Sequence, residues 1–173
     1  MKDEINFHKL FHLMRQMHDV TLDEIAEGLY SQSAIQKIEN GNFLPEKLMR
    51  NRLMERMGVS EEIYEDYLQP EEYNRWKLRQ KILRSIEKKE LAKLEQYLKQ
   101  YETYKKIGKI ELQFITAMWL WFYKQTNAPF SLQQQTVKKA VFLTMPKIAK
   151  GFPVKLLLSN QELNLLIEYV YLQ

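Results

Sequence analysis

Residues 21–41 read Thr21-Leu-Asp-Glu-Ile-Ala-Glu-Gly-Leu-Tyr-Ser-Gln-Ser-Ala-Ile-Gln-Lys-Ile-Glu-Asn-Gly41, and the spacing within this stretch decides the fold. Thr21 is a good N-cap, and Glu24, three residues on, completes a capping box. The helix it opens carries Leu22, Ile25, Ala26 and Leu29 on one face. Ser31 is a second N-cap candidate, and the segment it opens buries Ile35 and Ile38 before Asn40-Gly41 stops it. Two short helices joined by a tight turn have helix-turn-helix dimensions. Setting Ile35 and Ile38 inward, at about 100° per residue, turns Ser33, Gln36, Lys37 and Asn40 outward, with Gln32 on the flank. That outward face carries one cation, no anion and three amides. Gln and Asn pair bidentately with adenine edges and Ser donates or accepts at a base, so such a helix suits a major groove. The helix beginning at Thr21 would bring free N–H groups to a phosphate.

Around this core the pattern stays helical. Phe7, Leu10, Phe11, Met14 and Met17 repeat on one helical face ahead of it. After the Gly41–Leu44 loop, Pro45 suits the first turn of a fourth helix with Leu48, Met49, Leu53 and Met57 inward. Gly58 ends that helix, and Ser60 caps a short fifth one carrying Ile63, Tyr64, Tyr67 and Leu68. These five helices form one unit, 1–69, ending near Gln69-Pro70. Beyond it the segments lengthen, to about 71–87, 89–105, 109–126, 131–144 and 158–173, with a longer Pro146–Lys155 connection. Paired helices at a spacing of about 40 residues resemble a tetratricopeptide-like array. The fold class is therefore all-α, a helix-turn-helix unit followed by an antiparallel helical-repeat unit over 70–173.

Composition narrows the function classes. The 173 residues contain no cysteine, which removes disulfide scaffolds, thiol nucleophiles and thiolate metal sites. Residues 1–69 hold 8 Lys/Arg against 13 Asp/Glu, a net of −5, whereas 70–173 hold 18 against 9, a net of +9. A basic half often marks a binder of nucleic acid or acidic surfaces, yet the base-reading motif lies in the acidic half. No Gly-rich phosphate loop, nucleophile elbow or His-Glu-x-x-His pattern occurs, so no enzyme, cofactor or catalytic residue is expected. His8 and His12 stand at i and i+4 without a third ligand at a convincing spacing, so no metal is expected. The longest apolar run, Ile115–Tyr123, is too short for a bilayer, and no basic region precedes an apolar stretch at the N-terminus. Trp119, Trp121, Phe122 and Tyr123 read as helix packing before they read as a ligand wall. The run Arg75, Lys77, Arg79, Lys81, Arg84, Lys88, Lys89 reads as a solvated face.

The stretch Thr21–Gly41 resembles the XRE (Cro/C1-type) DNA-binding motif, and the likeness extends over residues 5–68. The form Glu27-Gly-Leu-Tyr-Ser-Gln-Ser33, with its turn one residue shorter than the commonest XRE pattern, is similar to Rgg- and PlcR-type regulators. Those are peptide-responsive regulators of Gram-positive bacteria, with an N-terminal XRE domain and a C-terminal tetratricopeptide-like domain. Over 70–173 the likeness rests on layout and on stretches such as Leu112-Gln-Phe114 and Leu143-Thr-Met-Pro146. The resemblance implies a cytoplasmic, sequence-specific transcriptional regulator of the quorum-sensing kind. It implies base or phosphate contacts by Ser31, Gln32, Ser33, Gln36 and Lys37, a phosphate at Thr21, and an acidic position near the helix end at Glu39. Two departures stand out: Leu22 replaces a Gln often found there, and the chain is shorter than such regulators usually are.

The expected partners are double-stranded DNA with a palindromic operator, a second copy of the chain, and a short signalling peptide; no membrane is expected. Dimerisation follows from geometry, because one short recognition helix reads few base pairs and a two-fold pair doubles the contact. The last segment presents Leu163, Leu166, Ile167 and Val170 on one face and ends uncapped, so it is the expected dimer surface unless further chain covers it. The rival reading is a helical-repeat adaptor for protein partners that keeps the N-terminal bundle as scaffold.

Overall fold

The computed structural model describes residues 7–59, 70–104, 107–151 and 156–173, and these are helical throughout, with no strand among them. Four short helices come first: α1 (Phe7–Met17), α2 (Leu22–Ala26), α3 (Gln32–Glu39) and α4 (Lys47–Arg56). Longer ones follow: α5 (Pro70–Glu87), α6 (Leu91–Glu102), α7 (Lys109–Gln125) and α8 (Phe130–Thr144). A 3₁₀ turn over Pro146–Lys150 lies in what the sequence offers only as a connection, and α9 (Asn160–Tyr171) completes the chain. The expected fifth helix with Ile63, Tyr64, Tyr67 and Leu68, and the junction at Gln69, lie outside the described residues.

The caps form where side-chain chemistry requires them. Thr21 Oγ1 accepts the Glu24 N–H at 3.2 Å, while a Glu24 carboxylate oxygen accepts the Thr21 N–H at 2.8 Å. Ser31 Oγ accepts the Ala34 N–H at 3.2 Å and starts α3. Gly41, at φ +74°, ends α3 in the left-handed conformation that a residue without Cβ adopts at no cost. A second capping box, Ser159 with Glu162, opens α9. Pro45 does not sit in the first turn of α4. It is buried just ahead of it, and its carbonyl takes a hydrogen bond from Arg50 at 2.8 Å.

Three cores meet along one helix. The first joins Phe11, Ile25, Leu29, Ile35, Ile38, Leu53 and Met54 and includes Ile110 at the start of α7. The second joins Leu78 and Ile82 of α5 with Leu94, Leu98 and Tyr101 of α6 and with Phe114 and Ile115 of α7. The third joins Ala117 and Leu120 of α7 with Val137, Ala140 and Val141 of α8 and with Leu165 and Leu172. Successive turns of α7 thus serve all three cores, which explains why that helix has almost no polar face. Ile35 and Ile38 are fully buried, contributing about 1.5–3 kcal/mol each, and they fix the rotation of α3.

Two expectations about burial fail. Met17 does not share the inner face of α1; it is 66% exposed, as the chain turns away at Asp19 with φ +51°. Arg75 does not belong to a solvated face. It is buried, its Nε 2.7 Å from Glu111 and its Nη2 3.1 Å from Glu46. Burial alone would lower the Arg75 guanidinium, but the two carboxylates raise it. Tyr101 donates to the same Glu111 oxygen at 3.1 Å, and burial pushes its phenol well above the ordinary value. Lys77, Lys81, Arg84, Lys88 and Lys89 are exposed as expected.

Candidate nucleic-acid interface

The side chains that the sequence assigns to DNA, Thr21, Ser31, Gln32, Ser33, Gln36, Lys37 and Asn40, are all exposed. Those on α3 hold one another in place. The Gln36 side-chain N–H donates to Asn40 Oδ1 at 3.3 Å, and Ser31 Oγ lies 3.0 Å from Ser33 Oγ. Gln32 donates to Asp23 Oδ1 at 3.1 Å, tying α3 back to α2. Such exposed amide and hydroxyl bonds are worth little net in water, so they exchange readily for a base edge. Thr21 forms the capping box with Glu24 that its spacing predicts. Its N–H and Oγ–H both donate to Glu24 at 2.8 Å, so a carboxylate occupies the seat assigned to a phosphate.

The far end of α3 is held by a buried ion pair. The Glu39 side chain, 3% exposed, receives Arg15 Nε at 2.5 Å, Arg15 Nη2 at 3.1 Å and His12 Nδ1 at 3.0 Å. Arg15 also donates to the Val20 carbonyl at 2.8 Å, so one guanidinium joins α1, the lead into α2, and α3. Burial alone would raise the Glu39 carboxyl, but hydrogen bonds from Arg15 and His12 hold it below its ordinary value. The same bond raises Arg15. Glu39 therefore acts from within, orienting the helix, and His12 is a partner of Glu39. Among the described residues no group of three or more His, Cys, Asp or Glu could hold a metal ion.

The residues that periodicity misses lie behind the motif. Arg56 of α4 donates to the Ile25 and Glu27 carbonyls at 3.2 and 2.7 Å, and its other nitrogens reach Glu162 of α9 at 2.8 and 3.3 Å. Arg52 donates to Gln113 and Gln161, both at 2.6 Å, and lies 3.4 Å from Glu162. Burial would raise Glu162, but Arg56 and Arg52 hold it down to about 2; burial lowers Arg52. Only the Ser159-x-x-Glu162 spacing in the sequence hints that Glu162 is special, and it says nothing of partners 106 residues away.

Elsewhere the surface offers two grooves and an apolar face. Met118, Trp121 and Lys124 of α7 face Gln161, Asn164 and Glu168 of α9 across a groove of about 480 Å³. The aromatic stripe is half-buried against the second core, and Trp119 stacks on Tyr123 at 5.6 Å beside a second groove of about 590 Å³. Leu163, Ile167 and Val170 are exposed on α9, with Leu166 half-buried beside them. No helix is long and apolar enough to cross a membrane among the described residues. Compared with known protein families, with curated proteins and with solved structures, the chain matches none.

Proposed function

We propose that the chain is a sequence-specific DNA-binding transcriptional regulator that reads base edges in the major groove with the outer face of α3. One observation carries the reading: Gln32, Ser33, Gln36, Lys37 and Asn40 are exposed on a helix whose rotation Ile35 and Ile38 fix and whose end Glu39 pins. A helix held at three buried points loses little entropy on docking, which is what base readout requires. Asn40 and Gln36 suit adenine, and Lys37 suits a phosphate or a guanine. The apolar face of α9 would pair two copies over a palindrome. A short peptide suits the α7–α9 groove, where Gln161 and Asn164 offer amides to an extended backbone beside Trp121.

The acidic balance of the first 69 residues favours the second reading, an adaptor that binds protein partners and no specific DNA. Selection of bound duplexes from a random pool separates the two. A regulator enriches a two-fold motif with half-sites about one helical turn apart and binds it with a steep salt dependence. An adaptor enriches nothing.

A further inference from the structure

Residues 25–28, where α2 ends and the turn toward α3 begins, are gripped from several directions. Lys147 pairs with the Glu27 carboxylate at 2.6 Å, and Lys109 donates to the Gly28 carbonyl at 3.2 Å. The carbonyls of Ile25 and Glu27 are taken by Arg56. A five-residue helix cannot hold itself together, and its terminal carbonyls need outside donors. The donor here is not autonomous, because the same planar guanidinium grips the fully buried Glu162 of α9 with two nitrogens. Its fork is rigid, so displacing the carboxylate rotates the donors that face Ile25 and Glu27.

We infer that Glu162 is a positioning residue for the recognition helix: acting through Arg56 it sets the helix-turn-helix turn, so the seating of α9 governs DNA binding. The inference rests on the DNA-binding reading above. Capping α9 does not account for the arrangement, since a capping carboxylate needs only the Ser159 N–H and Oγ–H, which it holds at 2.9 and 3.0 Å. Gln161, the neighbouring residue, binds Arg52 and also lines the α7–α9 groove, which connects an occupant of that groove with the same cluster.

The test uses the full chain, with Glu162→Gln compared against Ser159→Ala, which weakens the cap of α9 and leaves the Arg56 pair. Two quantities are read at a temperature where the circular dichroism of all three proteins coincides. One is operator affinity; the other is amide exchange at Leu29 and Tyr30, whose N–H groups both donate to the Ala26 carbonyl. Glu162→Gln should accelerate that exchange about tenfold and weaken the operator about tenfold, while Ser159→Ala, at a comparable loss of Tm, does neither. The inference is overturned if both variants change the two readouts in proportion to lost Tm, or if Glu162→Gln changes neither. Should Glu162→Gln fail to fold, Arg56→Lys takes its place, keeping the charge and losing the fork. If the wild type has no preferred DNA, the regulator reading fails, and exchange at Leu29 and Tyr30 still decides the coupling.

Discussion

A Cβ placed on Gly28 would stand 1.9 Å from the carbonyl oxygen of Thr144, a contact that no side chain can make. The turn between α2 and α3 therefore lies directly against the end of α8, with its backbone at φ +71°. Gly28→Ala meets both obstacles, a left-handed conformation and an immovable backbone atom. Gly58, at φ +76° with open space around it, meets only the first. Gly58→Ala should cost about 1 kcal/mol and Gly28→Ala at least about 3 kcal/mol in urea unfolding. Equal losses would show that the turn and α8 are not in contact.

Arg15 and His12 both reach Glu39, yet they should not matter equally. The Arg15 side chain is 15% exposed and donates twice to Glu39, whereas the His12 side chain is 44% exposed and donates once. Arg15→Ala leaves a buried carboxylate without its main counter-ion, and about 3 kcal/mol of stability should go with it. His12→Ala should cost less than about 1 kcal/mol. Thermal unfolding of the two variants ranks them, and a reversed order would mean that Glu39 depends on the imidazole.

The rotation of α3 was legible because two isoleucines three residues apart permit only one inward face. The caps at Thr21 and Ser31 were legible because they are local. Partners across the chain were not. Arg75 read as a solvated charge, and Arg52 and Arg56 drew no reading, since a period assigns polarity to the outside and cannot see a carboxylate arriving from a helix far away in sequence. In α4 the signal was present in negative form. Lys47, Arg50, Asn51, Arg52 and Arg56 are buried together with Leu53 and Met54, so the helix is interrupted by polar residues on its buried sides as well as its exposed ones. The exposure of Gln32, Ser33, Gln36, Lys37 and Asn40 was legible from side-chain direction alone, and the Thr21–Glu24 pair from its capping-box spacing.

Glu162 gives stability a defined acid limb. Its carboxyl is held down to about 2 from an ordinary value of 4.5. A group depressed in the folded state contributes stability that is fully present above its unfolded value and is lost as pH falls toward the folded one. The advantage of wild type over Glu162→Gln should therefore be constant from neutral pH to about 4.5, and should shrink steadily between there and about 2. Tm measured for both proteins across that range reads it directly. A difference that is flat below pH 4.5 would mean that Arg56 and Arg52 do not act on this carboxylate.

Gln36 and Lys37 are neighbours with different expected consequences. Gln36→Ala removes an exposed amide and no core atom, so the fold stays intact. Its operator affinity should fall by about 1–3 kcal/mol while non-specific binding is unchanged. Lys37→Ala should weaken all sequences alike and reduce the slope of log affinity against log salt by about one. Titrations at several salt concentrations separate the two patterns. An unchanged operator affinity for Gln36→Ala would remove α3 as the reading element.

Ile167 tests how two copies would meet. It is 58% exposed on α9, and with Leu163, Leu166, Val170 and Tyr171 it lines one continuous apolar depression. A stripe of this kind is costly to leave in water, and in the proposed dimer a second copy would cover it with the same residues, as a two-fold contact requires. Ile167→Glu places a charge at its centre while changing nothing buried, so the isolated fold should keep its stability within about 0.5 kcal/mol. The variant should sediment as a monomer at concentrations where the wild type is a dimer. Because each half-site raises the effective concentration of the other, operator affinity should fall by about a hundredfold or more, and single half-site affinity should not change. Sedimentation velocity with half-site and full-site titrations reads all three quantities. A wild type that is monomeric at tens of micromolar would rule out this face as the dimer contact and strengthen the adaptor reading.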